Sequence, residues 1–141
     1  MTNEHMTKTE NLAKPRISLS ADDYERLSVL AHAARNQFPD LAAELADEIG
    51  RAQVFAKSEM PKHVVCMNSE VEFRDDTTGK VRTVTLVYPE EADISQGRIS
   101  VMTPVGTALI GLQADHSITW ETPSGETRQL TVISVREPQL V

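Results

Sequence analysis

Cysteine is nearly absent: Cys66 stands alone in a chain of 141 residues. A single thiol closes no intramolecular disulfide and points to a reducing compartment. Aromatic residues are scarce, at 4% of the chain against 40% hydrophobic residues in all, so the core has to be aliphatic. No apolar run approaches the roughly eighteen residues that a membrane span takes, and Met1 to Lys14 carries no signal-peptide-like apolar segment. The four His residues, at 5, 32, 63 and 116, have no paired spacing, and with one Cys they do not make a zinc site of about four ligands. No Gly-rich phosphate loop follows a strand, and no Ser sits between glycines at a strand-to-helix elbow. Positive charge is also short: 14 Lys and Arg face 21 Asp and Glu, a net charge of −7. That balance disfavours a duplex nucleic-acid binder working by phosphate neutralisation, and leaves proteins with basic surfaces as partners. The expectation is a soluble cytoplasmic protein that is not an enzyme, with no catalytic residues, metal or cofactor, and no membrane or sequence-specific nucleic acid among its partners.

The hydrophobic pattern divides the chain. Met1 to Lys14 is polar and patternless, which predicts a mobile tail over 1–15. Pro15 to Leu19 reads as an extended lead-in, and Ser20 as a helix N-cap with Asp23 as its acidic N3 partner. Leu27, Leu30, Ala31 and Ala34 recur at helical spacing after Tyr24, so a first helix is expected over Ala21 to Asn36. Gln37-Phe38-Pro39 is a break, after which Asp40 reads as the cap of a second helix with a Leu41, Leu45, Ile49, Ala52 stripe, fading near Lys57-Ser58. Two such helices joined by a tight link predict a short antiparallel αα-hairpin over 16–60, each helix roughly 24 Å long. From His63 the period changes to that of strands: Val64 to Cys66, Val71 and Phe73, Val81 to Tyr88, Ile118 with Trp120, and Leu130 to Val135. Helices first and an antiparallel meander after them predict an α+β fold, with 61–141 as the sheet domain.

The stretch Ile99 to Gly111 is the organising feature. Ile99 and Val101 begin a strand that cannot continue, because Pro104 has no N–H for a ladder. Thr103 then reads as an N-cap and Pro104 as the first residue of a short apolar helix stopped by Gly111. No titratable group lies within it, so it reads as packing around one exposed corner. Two acidic groups admit two readings each. Asp40, Glu44, Asp47 and Glu48 are either a cap and a solvated helix face, or a carboxylate tip offering oxygen ligands to a divalent cation. Glu90, Glu91 and Asp93 are either a solvated loop, or the acidic rim of a docking surface centred on Met102 and Pro104. Cys66, inside an apolar run, reads as a small core residue rather than a nucleophile.

Taken together, Val65-Cys66-Met67-Asn68-Ser69-Glu70-Val71, Val87 to Asp93, Ile99 to Gly106 and Ala108 to Gly111 resemble the C-terminal domain of the bacterial Gre transcript-cleavage factors. The short helical hairpin in front narrows the resemblance to their Rnk (regulator of nucleoside diphosphate kinase) branch, over residues 16–137. The resemblance implies an FKBP-like twisted antiparallel sheet with one short helix, carrying an N-terminal coiled-coil arm. It implies RNA polymerase as the partner, gripped at the rim of the secondary channel by Glu90, Glu91, Asp93, Met102, Thr103 and Pro104. The arm tip would then be Phe38, Asp40 and Glu44. In Gre factors an Asp and a Glu three residues later recruit a Mg²⁺ for RNA hydrolysis. Here the position three after Asp40 is Ala43, the acid falls at Glu44 about 100° further round the helix, and the arm is short. The implied protein is therefore a polymerase-binding regulator that does not cleave transcripts. Its alternatives are an interaction protein acting on nucleoside diphosphate kinase and nucleotide pools, directly or indirectly, or a weak cleavage factor. Prolyl isomerisation is set aside, since a fold alone carries no site.

Overall fold

The computed structural model describes residues 16–121 and 124–137; the predicted mobile tail lies outside them. Ser18–Ser20 (β1) leads directly into a helix over Ala21–Ala34 (α1), and Pro39–Arg51 (α2) is followed at once by Gln53–Phe55 (β2). Ser20 is the N-cap of α1, its hydroxyl accepting from the Asp23 N–H at 3.1 Å, as its sequence pattern predicts. At the second helix the pattern misleads. Phe38, not Asp40, occupies the cap position, without a side-chain cap bond, and Pro39 is the first helical residue. A proline there loses no hydrogen bond and presets φ, so it draws the helix start forward of the acid.

The second helix also ends earlier than predicted. Chain expected to be its fading end forms β2, which pairs in parallel with β1, Leu19 opposite Val54. The two helices thus form the crossover between two parallel strands, a long-range pairing that local periodicity does not reveal.

The remaining strands are Glu70–Asp75 (β3), Val81–Val87 (β4), Arg98–Ser100 (β5), Ser117–Glu121 (β6) and Thr127–Arg136 (β7), with a short helix over Pro104–Leu109 (α3) between β5 and β6. They form one sheet in the order β5-β4-β3-β7-β6. β3 pairs antiparallel with β4 and β7, and β6 with β7. β5, however, pairs in parallel with β4, so the sheet is mixed rather than the antiparallel meander expected. Two 3₁₀ turns, Pro89–Glu91 and Ile94–Gln96, carry the chain back along β4 as far as Thr85, which Arg98 faces as β5 begins. Val64 to Cys66 is not a strand. Val64 makes a lone bridge to Gln113, and the segment is bounded by His63 and Asn68, both with positive φ, which breaks an extended run at either end.

One aliphatic core joins the helices to the sheet. Leu27 and Ala31 of α1, and Leu45 and Ile49 of α2, belong to the same buried cluster as Leu86, Leu109, Leu112 and Leu130. Two contacts close the N-terminal segment onto the sheet domain. The Ser18 N–H donates to the Gly111 carbonyl at 3.1 Å, and a Cβ on Gly111 (φ +80°) would lie 2.8 Å from Ile17 Cβ. The Asp23 carboxylate, at the start of α1, accepts from the Met67 N–H at 3.2 Å. Cys66 is partly buried beside it, and burial, reinforced by the Asp23 charge, pushes its thiol up to about 11. That is the behaviour of a packing residue rather than a nucleophile.

Burial raises the Asp23 carboxyl above its ordinary 3.8 despite the bond from Met67. A raised carboxyl binds its proton more tightly in the folded chain, so it lowers stability as pH climbs through that range. Asp23→Asn keeps an acceptor for Met67 and removes the charge. Urea unfolding of the two proteins from about pH 4 to about pH 7 should show the stability difference moving in favour of the variant. A difference independent of pH would mean the carboxyl is fully solvated.

Candidate docking surface

The corner predicted at Thr103-Pro104 is built by backbone–side-chain bonds that each answer a broken ladder position. β5 ends at Ser100, whose hydroxyl accepts from the Met102 N–H at 2.9 Å. Thr103 caps α3: its hydroxyl accepts from the Gly106 N–H at 3.0 Å and donates to the Ser100 carbonyl at 2.8 Å. One turn later the buried Thr107 hydroxyl donates to the Val101 carbonyl at 2.8 Å. Helix α3 is therefore sewn to the end of its own preceding strand. Gly106 makes this possible, since a Cβ there would lie 2.2 Å from the Ser100 carbonyl oxygen and 2.8 Å from Val101 Cα. Sequence reasoning passed over Gly106, as a glycine inside a short helix reads only as a weak spot.

The acidic segment lies on the two 3₁₀ turns before β5. Glu90 and Glu91 are exposed on the first of them. Asp93 instead holds the loop: its carboxylate accepts from the Ser95 N–H at 3.1 Å and hydroxyl at 2.6 Å, and its backbone exchanges two 2.9 Å bonds with Arg98. Met102, Thr103 and Pro104 are half-buried, not fully exposed.

The corner separates two depressions. On one side a groove of about 460 Å³ is walled by Phe73, Val84, Ile99, Val105 and Trp120, with Pro104 and Ile94 at its edge. Ile94 is 84% exposed, the most solvent-accessible large apolar residue among those described. Arg82, Arg98 and Arg128 also border this groove. Arg128 pairs with Asp75 at 2.6 Å. Burial alone would raise the Asp75 carboxyl, but the Arg128 bond and the Thr77 and Thr78 N–H groups hold it below its usual range. The groove thus brings three arginines beside the acidic segment, whose Ala92 and Ile94 also line it. The arginines were missed because they come from three separate strands.

On the other side a cleft of about 350 Å³ brings Met102 and Pro89 against the end of the helical pair, where Phe38 and Leu30 complete its wall. Phe38 is 52% exposed. Asp40 is exposed on the first turn of α2, Glu44 is half-buried one turn on, and the exposed residue between them at the third position is Ala43. Among the described residues, no three His, Cys, Asp or Glu side chains gather as a metal-holding group. Among them too, no helix is long and apolar enough to cross a membrane.

The fold as a whole superposes on a solved protein described as a transcription elongation factor, and the sequence matches the same class. Residues 60–137 match the family model described as "Transcription elongation factor, GreA/GreB, C-term", and residues 15–54 match "Rnk N-terminus". The chain is 40% identical over 124 residues to the "Regulator of nucleoside diphosphate kinase" of Escherichia coli strain K12, covering 88% of this chain and 91% of that one. The GreA of Syntrophobacter fumaroxidans is 34% identical over 93 residues, which span 66% of this chain and only 59% of GreA. Among solved structures, a "Prokaryotic transcription elongation factor GreA/GreB from Nitrosomonas europaea" superposes with a TM-score of 0.69 at 38% identity, over 88% of this chain and all of that one. The chain belongs to the GreA/GreB C-terminal-domain family and, within it, to the Rnk proteins. Its relatives are named as regulators and factors.

Gly106→Ala should cost more than about 2 kcal/mol in urea unfolding, since the new methyl meets the backbone of Ser100 and Val101. Thr103→Ala, which removes only the cap, should cost about 1 kcal/mol. The reverse order would show that the cap, not the close approach, holds the corner.

Proposed function

We propose that this chain is a cytoplasmic transcription regulator that docks at the rim of the RNA polymerase secondary channel through its GreA/GreB-type domain, and that it does not cleave transcripts. The observation that carries the docking half is the Thr103-Pro104 corner, braced from inside and flanked by exposed Glu90 and Glu91. Half-buried apolar groups ringed by charge are what a protein-binding patch needs, the centre supplying affinity and the charges steering encounter. In this reading the sheet and its short helix are an FKBP-like docking module, and α1 with α2 is a shortened form of the family's coiled-coil arm. The name of the relatives links them to nucleoside diphosphate kinase, and that link comes to this chain through the name alone.

The non-cleaving half rests on the arm. Cleavage by a Gre-type mechanism needs two carboxylates on one bearing, able to share a metal ion at the polymerase active centre. Here Ala43 stands where the second would be, and Glu44 is turned about 100° away. With 13 residues in α2, the arm reaches roughly 20 Å.

Purified core polymerase tests both halves. Wild type should be retained on immobilised core enzyme, while Pro104→Ala and Glu91→Lys should each weaken retention about tenfold; full retention of both variants would move the interface elsewhere. Stalled, backtracked elongation complexes with Mg²⁺ should keep their RNA length when the protein is added. Shortening that is lost in Asp40→Ala would refute the non-cleaving assignment.

A further inference from the structure

We infer that the turn between the two helices is itself part of the docking surface, and that the cleft between Phe38 and Met102 receives an apolar side chain from a Lys- or Arg-flanked segment of the partner. This rests on the polymerase-docking reading and adds a second anchoring point to it. The helical pair does not stand away from the sheet: Leu27, Ala31, Leu45 and Ile49 share its core. The turn is thereby laid against the corner, and Leu30, Ala33, Gln37 and Phe38 form one wall of the cleft while Pro89 and Met102 form the other.

Three features define the occupant. Both walls are apolar apart from the Gln37 amide and Ser100, whose hydroxyl is already engaged by the Met102 N–H. The volume, about 350 Å³, lies near the lower end of ordinary small-ligand pockets, ample room for an anchoring apolar side chain. Its surroundings are acidic: Glu90 and Glu91 directly follow Pro89, Asp40 stands two residues beyond Phe38, and all three are exposed. Arg35 is the one cation on the turn. Phe and Met are residue types enriched at protein interfaces, and the neighbouring acids select basic flanks on the segment that brings the side chain in.

The test uses the full chain and purified core polymerase, with affinity read by biolayer interferometry. Phe38→Ser removes one wall, and Ala33→Trp, at an exposed helix position, fills the cleft from the other helix. Each should weaken binding at least about tenfold while circular dichroism and thermal melting stay those of the wild type, and wild-type affinity should fall with added salt. Val54→Ser, on exposed β2 and outside both depressions, should bind normally. Wild-type affinity in both cleft variants, with Pro104→Ala still weakened, would overturn this inference and leave the docking reading standing. No binding by the wild type would remove both. A wild-type dimer in sedimentation that Phe38→Ser dissolves, without loss of polymerase affinity, would assign the cleft to a second copy of the chain and refute the inference.

Discussion

The close approach of α3 to the end of β5 is the constraint on which the rest of the sheet domain depends. A helix separated from the end of its own strand by only three residues must run almost against that strand's last carbonyls. A side chain at Gly106 would occupy the place of the Ser100 oxygen. With hydrogen at that position, the Thr103 and Thr107 hydroxyls reach Ser100 and Val101. These two bonds occupy carbonyls at a point where the ladder has no further strand to offer, and a buried carbonyl left without a donor is costly. With α3 held there, Leu109 and Ile110 reach the core, and Gly111 turns the chain to meet Ile17 and Ser18. The corner is thus fixed by the packing of the sheet domain itself.

That coupling explains which parts of the fold were legible. Local chemistry was readable where it acts over a few residues: the Ser20 cap, the β3–β4 hairpin, the Thr103-Pro104 helix start, and the alternation of Ile118 with Trp120. Features made by distant partners were not. β1 and β2 are three residues each and pair across two helices, so nothing in their own composition marks them as strands. β5 is equally short, and its direction depends on two 3₁₀ turns whose acidic residues read simply as loop. At Pro39 two correct local rules competed, an acidic cap against a proline first residue, and the proline prevailed because its φ is fixed whatever its neighbours do.

The candidate site divides along the same line. Glu90, Glu91, Met102, Thr103 and Pro104 fall within fifteen residues of one another and were recoverable from a contiguous motif. Asp93 belongs to the same motif, but its carboxylate is occupied within its own loop, so its contribution is to shape the segment that presents Glu90 and Glu91. The arginines of the groove and the cleft lined by Phe38 and Met102 come from separate elements, and only the packed molecule brings them together.

A partner meeting this surface would find its two sides already set in place. Three unrelated contacts fix the helical pair to the sheet domain: the shared aliphatic core, the Ile17–Gly111 packing, and the bond from the Met67 N–H to Asp23. A fourth lies nearby, where the Arg26 guanidinium sits 4.1 Å from the centre of the buried Tyr88 ring, one residue before Pro89. Moving the turn relative to the corner would break several of these at once. Binding in the cleft therefore need not order a loose arm, and an interface spared that ordering keeps more of its contact energy as affinity. A long arm that reaches away from its domain gains access to a distant site. A short one folded back on its domain would instead set a second fixed wall beside the corner.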